Sequence, residues 1–120
     1  MRNSILALLL ALAAAPALAA DAVPIKIPAS EAAQHVNQTA TVTGVLTNVH
    51  MTGGKSFLWD IGGTYPDNPF TVYVAKKDTD VVPNVTPLIG KTLSVTGQIK
   101  LYQGKPEIAV SDPKQVQVAQ

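Results

Sequence analysis

The sequence predicts a small all-β domain preceded by one short helix. Beyond residue 38 the chain contains runs rich in Val and Thr, in which apolar and polar residues alternate. Turns that contain Gly, Pro and Asn separate these runs, and this pattern is typical of short strands joined by hairpins. Two of these runs contain an interior glycine, Gly44 and Gly97, and such a glycine marks a bulge or a sharp bend. A sheet whose first and fourth strands bend in this way is suited to rolling into a small five-stranded barrel.

The composition limits the number of domains and the kinds of function. The chain has 120 residues, of which 47% are apolar and 14% charged, and its formal net charge is +1. This length allows one domain of ordinary size, and the charge gives no support to a strongly basic nucleic-acid binder. Because the sequence contains no cysteine, a disulfide scaffold, a thiolate nucleophile and a zinc ribbon are excluded.

Residues 1–19 have the layout of a cleaved signal peptide. A short positive end with Arg2 precedes an apolar run over residues 5–15, and a small-residue site follows, which is the order of segments in a secretory signal. A membrane-spanning helix needs about 20 apolar residues, so the run is too short for one and no membrane span is expected. We expect cleavage after Ala19 or Ala20 and a periplasmic or secreted protein.

Removal of the signal peptide changes the charge balance of the chain. Arg2 is one of the nine basic residues, so eight lysines remain against eight acidic residues, and no arginine is left. Arginine is the preferred residue for bidentate recognition of phosphate and guanine. The mature domain is therefore neutral and lacks the usual side chain for nucleic-acid recognition.

A proline-flanked, extended lead-in over residues 20–29 and a short helix over residues 31–37 open the mature chain. Ser30 can accept a backbone hydrogen bond as the N-cap, and Glu31 places negative charge in the first turn. Apolar residues follow at helical spacing, and Asn37 is suited to end the helix.

Three predicted strands follow, over residues 39–50, 55–61 and 70–75. In each of them alternate residues are apolar, so one face of each strand is expected to point into the core. These core sets are Ala40, Val42 and Leu46; Phe57, Trp59 and Ile61; and Phe70, Val72 and Val74.

Two further strands complete the predicted barrel, over residues 92–102 and 106–110. The connection over residues 76–91 contains two prolines, which exclude a long helix. A last extended piece includes Val116 and Val118. We therefore expect one folded domain over residues 30–118.

The chain resembles the OB-fold, a five-stranded Greek-key barrel. The resemblance is carried by three stretches, IPASEAAQHVNQTATVTGVLTNV, GGKSFLWDIGGTYPDNPFTVYV and GKTLSVTGQIKLYQGKPEIAVSDPKQVQV, and covers roughly residues 25–118. These stretches are similar in sequence to OB domains of the single-strand nucleic-acid-binding and tRNA-anticodon-binding type. The layout of a signal peptide followed by one such domain also resembles bacterial periplasmic OB-fold proteins of the stress-tolerance type.

The resemblance implies a ligand face with aromatic and lysine side chains on the second and third strands and around the groove. Tyr73 has the opposite parity to the apolar residues of its strand, so it is expected to be exposed. Trp59 alternates with Phe57 and Ile61, which favours a core position. The candidate ligand-binding residues are Tyr73, Tyr102, Trp59, Lys55, Lys76, Lys77 and Lys105.

No pattern for catalysis or for metal binding is found. His35 and His50 are the only histidines, and neither has further ligands at metal-binding spacing. No G-x-S-x-G motif, phosphate-cradling loop or arguable carboxylate pair is present. We therefore expect a protein that is not an enzyme, without catalytic residues, metal or cofactor.

Two functions remain open from the sequence. The first is an exported OB-fold binding module for single-stranded nucleic acid or another extended polymer such as an oligosaccharide, bound on the face of the second and third strands. The alternative is a periplasmic accessory or stress-related protein that binds a protein or small-molecule partner through the same face. A monomer is expected in either case.

Overall fold

The computed structural model describes residues 23–119, so the signal peptide expected over residues 1–19 lies outside the described residues. Within residues 23–119 there are eight strands: β1 (Ile25–Pro28), β2 (Thr39–Met51), β3 (Phe57–Ile61), β4 (Phe70–Val74), β5 (Thr92–Gln98), β6 (Lys100–Tyr102), β7 (Lys105–Ala109) and β8 (Val116–Val118). Four short 3-10 helices connect them: Ala29–His35, Lys76–Asp78, Thr86–Leu88 and Pro113–Gln115. Among the described residues, none of the helices is both long and apolar enough to cross a membrane.

Strand β2 is shared by the two halves of the sheet. Its first half pairs antiparallel with β5, from Thr39 opposite Gln98 to Val45 opposite Thr92. Its second half pairs antiparallel with β3, starting with Leu46 opposite Ile61. The change of partner falls between Val45 and Leu46, one residue beyond Gly44, close to the bend expected at that glycine.

The bend at Gly44 depends on the missing side chain. A Cβ atom there would lie 2.7 Å from Ile61 Cγ2 and 3.0 Å from Ala29 Cβ. Both neighbours are buried and cannot move aside without disturbing the core. Only glycine allows β2 to pass this close to β3 and to the 3-10 helix Ala29–His35.

The strand order is β6-β7-β4-β3-β2-β5-β8, with β1 paired parallel to β2. Strands β4 and β7 are also parallel, and the other five pairs are antiparallel. One residue, Ile99, separates β5 from β6, although these strands lie towards opposite ends of the order. At Gly97 a Cβ atom would lie 2.6 Å from Ile108 Cγ2 in β7, so β5 passes close over the inner side of β7.

The structure confirms a mostly β fold and leaves the expected closed barrel of five strands unconfirmed. Seven of the eight strands follow one another in a sheet order that is not closed, and the eighth, β1, pairs with β2 beside it. The expected strand over residues 92–102 is interrupted at Ile99, because the Ile99 N–H donates to Gln38 O (3.0 Å) and Asn37 N–H donates to Ile99 O (2.6 Å). These bonds take the Ile99 backbone away from a strand partner. Strand β6 is thus one strand more than the five expected. Two further strands also exceed the expected five: β1 lies within the expected lead-in, and β8 lies in the last extended piece.

The expected helix also differs in type and bounds. It is a 3-10 helix that begins at Ala29, directly after Pro28, and no side chain caps it, so Ser30 is not the N-cap. Ala29 and Ala32 are both buried, and a spacing of three residues brings side chains to one face in a 3-10 helix rather than in an α-helix. Asn37 has a φ of 72° and ends the segment in the left-handed conformation that Asn tolerates.

The core lies on the inner side of the bent sheet. The apolar residues predicted from strand alternation are buried there, with the exception of Phe57, which is partly exposed at one end. The largest fully buried side chains are Phe70, Leu46, Ile61, Leu93, Ile99 and Ile108. The alternation therefore leaves the other side of β3, β4 and β7 facing outward.

Substitution of Gly97 by Ala is predicted to destabilise the domain by about 1–3 kcal/mol, because the new methyl group overlaps the fully buried Ile108 side chain. Urea unfolding measures the change in free energy of unfolding. Gly53→Ala is the matched control, since a Cβ atom at Gly53 meets nothing within 4 Å. Equal stability of the two variants would contradict the close approach of β5 and β7.

Candidate ligand-binding cleft

The outward side chains of β3, β4 and β7 form one continuous surface. Asp60 pairs with Thr71, and Thr71 pairs with Glu107, so the three side chains lie in a row across neighbouring strands. Two cavities of about 490 and 330 Å³ lie on this surface and share part of their lining. We call the combined cavity the outer cleft; its lining includes His50, Leu58, Asp60, Tyr65, Thr71, Tyr73, Tyr102, Lys105 and Glu107.

Two exposed tyrosines flank the outer cleft. Tyr102 at the β6–β7 hairpin is 59% exposed, and Tyr65 in the connection between β3 and β4 is 65% exposed. The Tyr65 ring also meets the His50 ring edge to face, with the ring centres 6.3 Å apart. An aromatic ring that is held in place and exposed offers a flat apolar surface to a ligand at little cost in entropy.

The connection over residues 62–69 is held against the sheet by one ammonium group. Lys105 Nζ donates to Pro66 O (2.8 Å), Asn68 O (2.6 Å) and Asn68 Oδ1 (3.1 Å). Asn68 is buried and donates from Nδ2 to Phe70 O and Thr71 Oγ1. The ammonium of Lys105 is therefore hydrogen-bonded to oxygen atoms of the protein. Through these bonds Lys105 positions the loop that carries Tyr65.

Asp60 lies in the floor of the outer cleft and is only 1% exposed. Its Oδ1 accepts a hydrogen bond from His50 Nε2 at 3.2 Å. Its Oδ2 is buried and meets no donor within residues 23–119. A buried polar atom without a partner costs about 1–3 kcal/mol, and more when it is charged, so this atom makes the cleft floor a candidate ligand site.

Glu107 lies on the same face, two strands away from Asp60. Its side chain is partly buried, and this burial raises the pKa of its carboxyl group above the usual value because the charged form loses hydration. The cleft thus contains two carboxyl groups, one imidazole and the ammonium of Lys105.

The structure brings together only some of the residues expected at the ligand face. Tyr73, Tyr102 and Lys105 line the outer cleft. Tyr73 is partly buried, and its hydroxyl lies 3.2 Å from Ser56 Oγ. Trp59 is 2% exposed and packs in the core, as its alternation with Ile61 predicts, so its ring does not lie on this surface.

The other expected lysines lie outside the cleft lining. Lys55 occupies the turn between β2 and β3 with a φ of 69°. Lys76 and Lys77 lie in the 3-10 helix after β4, and Lys77 Nζ pairs with Asp78 Oδ2 at 3.2 Å. The structure therefore does not gather these lysines into a positive groove.

Sequence reasoning missed four of the cleft residues: His50, Asp60, Tyr65 and Glu107. The pairing of His50 with Asp60 depends on the register between β2 and β3, which no local pattern reveals. Tyr65 lies in a turn-rich connection, where an aromatic residue beside Pro66 was the one available signal. Within the described residues no group of three His, Cys, Asp or Glu side chains is placed to hold a metal ion.

Comparisons with known proteins give a fold likeness only. Searches found no match among protein-family models and none among the curated proteins. Among solved structures, the chain is similar to a crystal structure assigned as an aspartyl-tRNA synthetase from Leishmania major Friedlin, with a TM-score of 0.53 and 12% sequence identity. The match covers 79% of this chain and 20% of the synthetase chain, so this chain corresponds to a small part of that protein.

Lys105→Met is predicted to loosen the loop that carries Tyr65. The variant removes three charge-assisted hydrogen bonds to residues 66 and 68. Hydrogen exchange at the Asp67 amide, which donates to Thr64 O within this loop, should therefore become about tenfold faster or more, equal to about 1.4 kcal/mol of local stability. Lys77→Met is the control, because the Lys77 side chain is 80% exposed and its ion pair is with the neighbouring Asp78 rather than with the loop. Unchanged exchange in Lys105→Met would show that the lysine does not hold the loop.

Glu107→Gln is predicted to change how stability depends on pH. Because the folded-state pKa is raised, the folded chain holds this proton more tightly than the unfolded chain. The contribution of Glu107 to stability therefore falls as pH rises from the unfolded pKa through the folded pKa. The gain in melting temperature of Glu107→Gln over wild type should be larger at neutral pH than at about pH 4.

The exposed carboxylate of Glu31 supplies the control for this measurement. Glu31→Gln removes the same charge from the surface and should show no comparable increase with pH. An equal pH profile for the two variants would contradict a burial effect at Glu107.

Proposed function

We propose that the chain is an exported OB-fold binding module that holds an extended oligosaccharide in the outer cleft. The observation that carries this proposal is the pair of exposed tyrosines flanking a floor of hydrogen-bond acceptors. Sugar rings present an apolar face that stacks on aromatic rings and hydroxyl groups that donate to carboxylates. The role is binding rather than catalysis, and export rests on the signal peptide expected over residues 1–19 with cleavage after Ala19 or Ala20.

Several observations support the OB-fold. The order β2-β3-β4-β7 runs between β5 and β6, which are parts of one chain segment interrupted at Ile99. If β5 and β6 are taken as one bent strand, the five long segments follow the connectivity of the Greek-key barrel. The tRNA-synthetase likeness supports the same fold, since anticodon-binding domains of such enzymes are OB-folds. Oligosaccharides are among the ligands that OB barrels bind on this face.

The charges of the outer cleft favour a neutral polymer over a polyanion. Two carboxyl groups, Asp60 and Glu107, line it, while the lining ammonium, Lys105, is engaged by loop carbonyls. A phosphate backbone binds mainly through lysine and arginine side chains that replace its counterions. An oligosaccharide needs no such excess of positive charge.

Single-stranded nucleic acid is the second candidate, and the likeness to a tRNA synthetase favours it. In that case Tyr102 and Tyr73 would stack on bases, as aromatic residues do in sequence-tolerant single-strand binding. The two candidates differ in their response to salt, because nucleic-acid binding weakens steeply as salt rises.

Isothermal titration of the mature chain with cellotetraose, maltotetraose and chitotetraose tests the proposal. We expect saturable binding of at least one tetrasaccharide, with an affinity that changes little between about 20 and 150 mM salt. Tyr102→Ala and Tyr65→Ala should each weaken binding about tenfold, or by about 1.4 kcal/mol, through loss of ring contact. Ile89→Ala is the control, since Ile89 is 43% exposed and does not line the cleft.

The same titration with a 12-nucleotide single-stranded DNA and RNA separates the candidates. Salt-sensitive binding of the nucleic acid without binding of any tetrasaccharide would contradict the oligosaccharide proposal and support the second candidate. Binding that survives both tyrosine substitutions would place the ligand elsewhere on the molecule.

A further inference from the structure

We infer that the outer cleft recognises a protonated amino group on its oligosaccharide, seated over the carboxylate of Asp60. This inference rests on the proposed function and deepens it, since it selects amino sugars with a free ammonium over neutral sugars. The ligand is thus assigned to the class of polymers that carry both sugar rings and primary amines. The juxtaposition that carries it is a buried, half-satisfied carboxylate between two exposed aromatic rings.

Asp60 presents a buried carboxylate oxygen without a hydrogen-bond partner among the described residues. The residue is 1% exposed, and of its two carboxylate oxygens only Oδ1 has a partner, His50 Nε2 at 3.2 Å. Oδ2 meets no donor within residues 23–119. A buried carboxylate is best stabilised by a cation that also donates hydrogen bonds. An ammonium supplies both, whereas a sugar hydroxyl supplies only the hydrogen bond.

The surroundings of Asp60 favour a cation as well. Glu107 lines the cleft on the same face and is partly desolvated, so a positive ligand offsets a second acidic group. Tyr65 and Tyr102 border the cleft, and aromatic faces attract ammonium groups. The Lys105 ammonium already lies 5.9 Å from the Tyr65 ring centre, which shows that this environment accepts a cation.

Among the described residues, no lysine forms an ion pair with Asp60. Lys105 is directed to three loop oxygens, and neither it nor Lys100, which lies opposite Glu107 in β6, forms an ion pair among the described residues. Because Oδ2 has almost no solvent contact, the inferred ammonium reaches it only with a side-chain movement, and His50, whose ring contacts the neighbouring Oδ1, is the residue expected to turn aside. The His50 side chain is 40% exposed and has room to do so.

A matched pair of probes tests the inference. Chitotetraose and its fully deacetylated form have the same backbone, but only the second carries free amines, which are protonated at mildly acidic pH. We expect the wild-type mature chain to bind the deacetylated tetramer about tenfold more tightly, and Asp60→Asn to abolish this preference while retaining the binding of chitotetraose. His50→Ala should bind the deacetylated tetramer at least as tightly as wild type.

Controls keep the outcomes separable. Glu107→Gln should lower the preference severalfold, which tests the inference even if Asp60→Asn fails to fold, as judged by its melting curve. Glu31→Gln, outside the cleft, should leave the preference unchanged. Spermidine carries protonated amines but no sugar ring. If spermidine binds as tightly as the deacetylated tetramer, the result contradicts a sugar ligand and supports the ammonium site.

The outcomes also distinguish this inference from the proposed function. Equal affinity for the two tetramers would overturn the ammonium site and leave the oligosaccharide proposal standing. A preference that persists in Asp60→Asn would overturn the role of Asp60. Absence of binding by both tetramers, together with absence of binding by the neutral tetrasaccharides, would overturn both.

Discussion

The architecture depends on two places where a strand backbone passes against a buried isoleucine with only a hydrogen atom between them. Gly44 meets Ile61 and Gly97 meets Ile108, each at a distance that excludes a Cβ atom. The first approach lets β2 leave β5 and join β3, and the second brings β5 against β7. A larger residue at either position would force the sheet to flatten, because a close-packed core has no space to take up the added volume.

The outer cleft is a consequence of that bend. With the apolar side chains of β3, β4 and β7 turned inward, their alternate residues form an outward row that includes Asp60, Thr71 and Glu107. The loop over residues 62–69 then closes one side, held by the ammonium of Lys105. Packing, loop position and the proposed ligand face are therefore linked: Lys105, which a nucleic-acid interpretation assigns to the ligand, instead holds the loop that forms the cleft wall.

Much of the fold could be predicted from local patterns. Alternation located β3 and β4 and placed Val72, Val74 and Ile61 in the core, and the interior glycines indicated where the strands bend. The patterns could not reveal the interruption at Ile99, which arises from hydrogen bonds to residues 37 and 38, distant in sequence. For the same reason the site was only partly predictable, since the contact between His50 and Asp60 exists only once the strand register is established.

The ligand face can be located directly by mapping backbone amide chemical shifts during a titration of the mature chain with chitotetraose. The account predicts that the shifted amides cluster on β3, β4 and β7 and at residues 65 and 102. A second polar surface, which includes Thr41, Ser94, Thr96 and Lys114, lies on the other half of the sheet and serves as an internal reference. Shifts confined to that surface, with the outer cleft unaffected, would contradict the account.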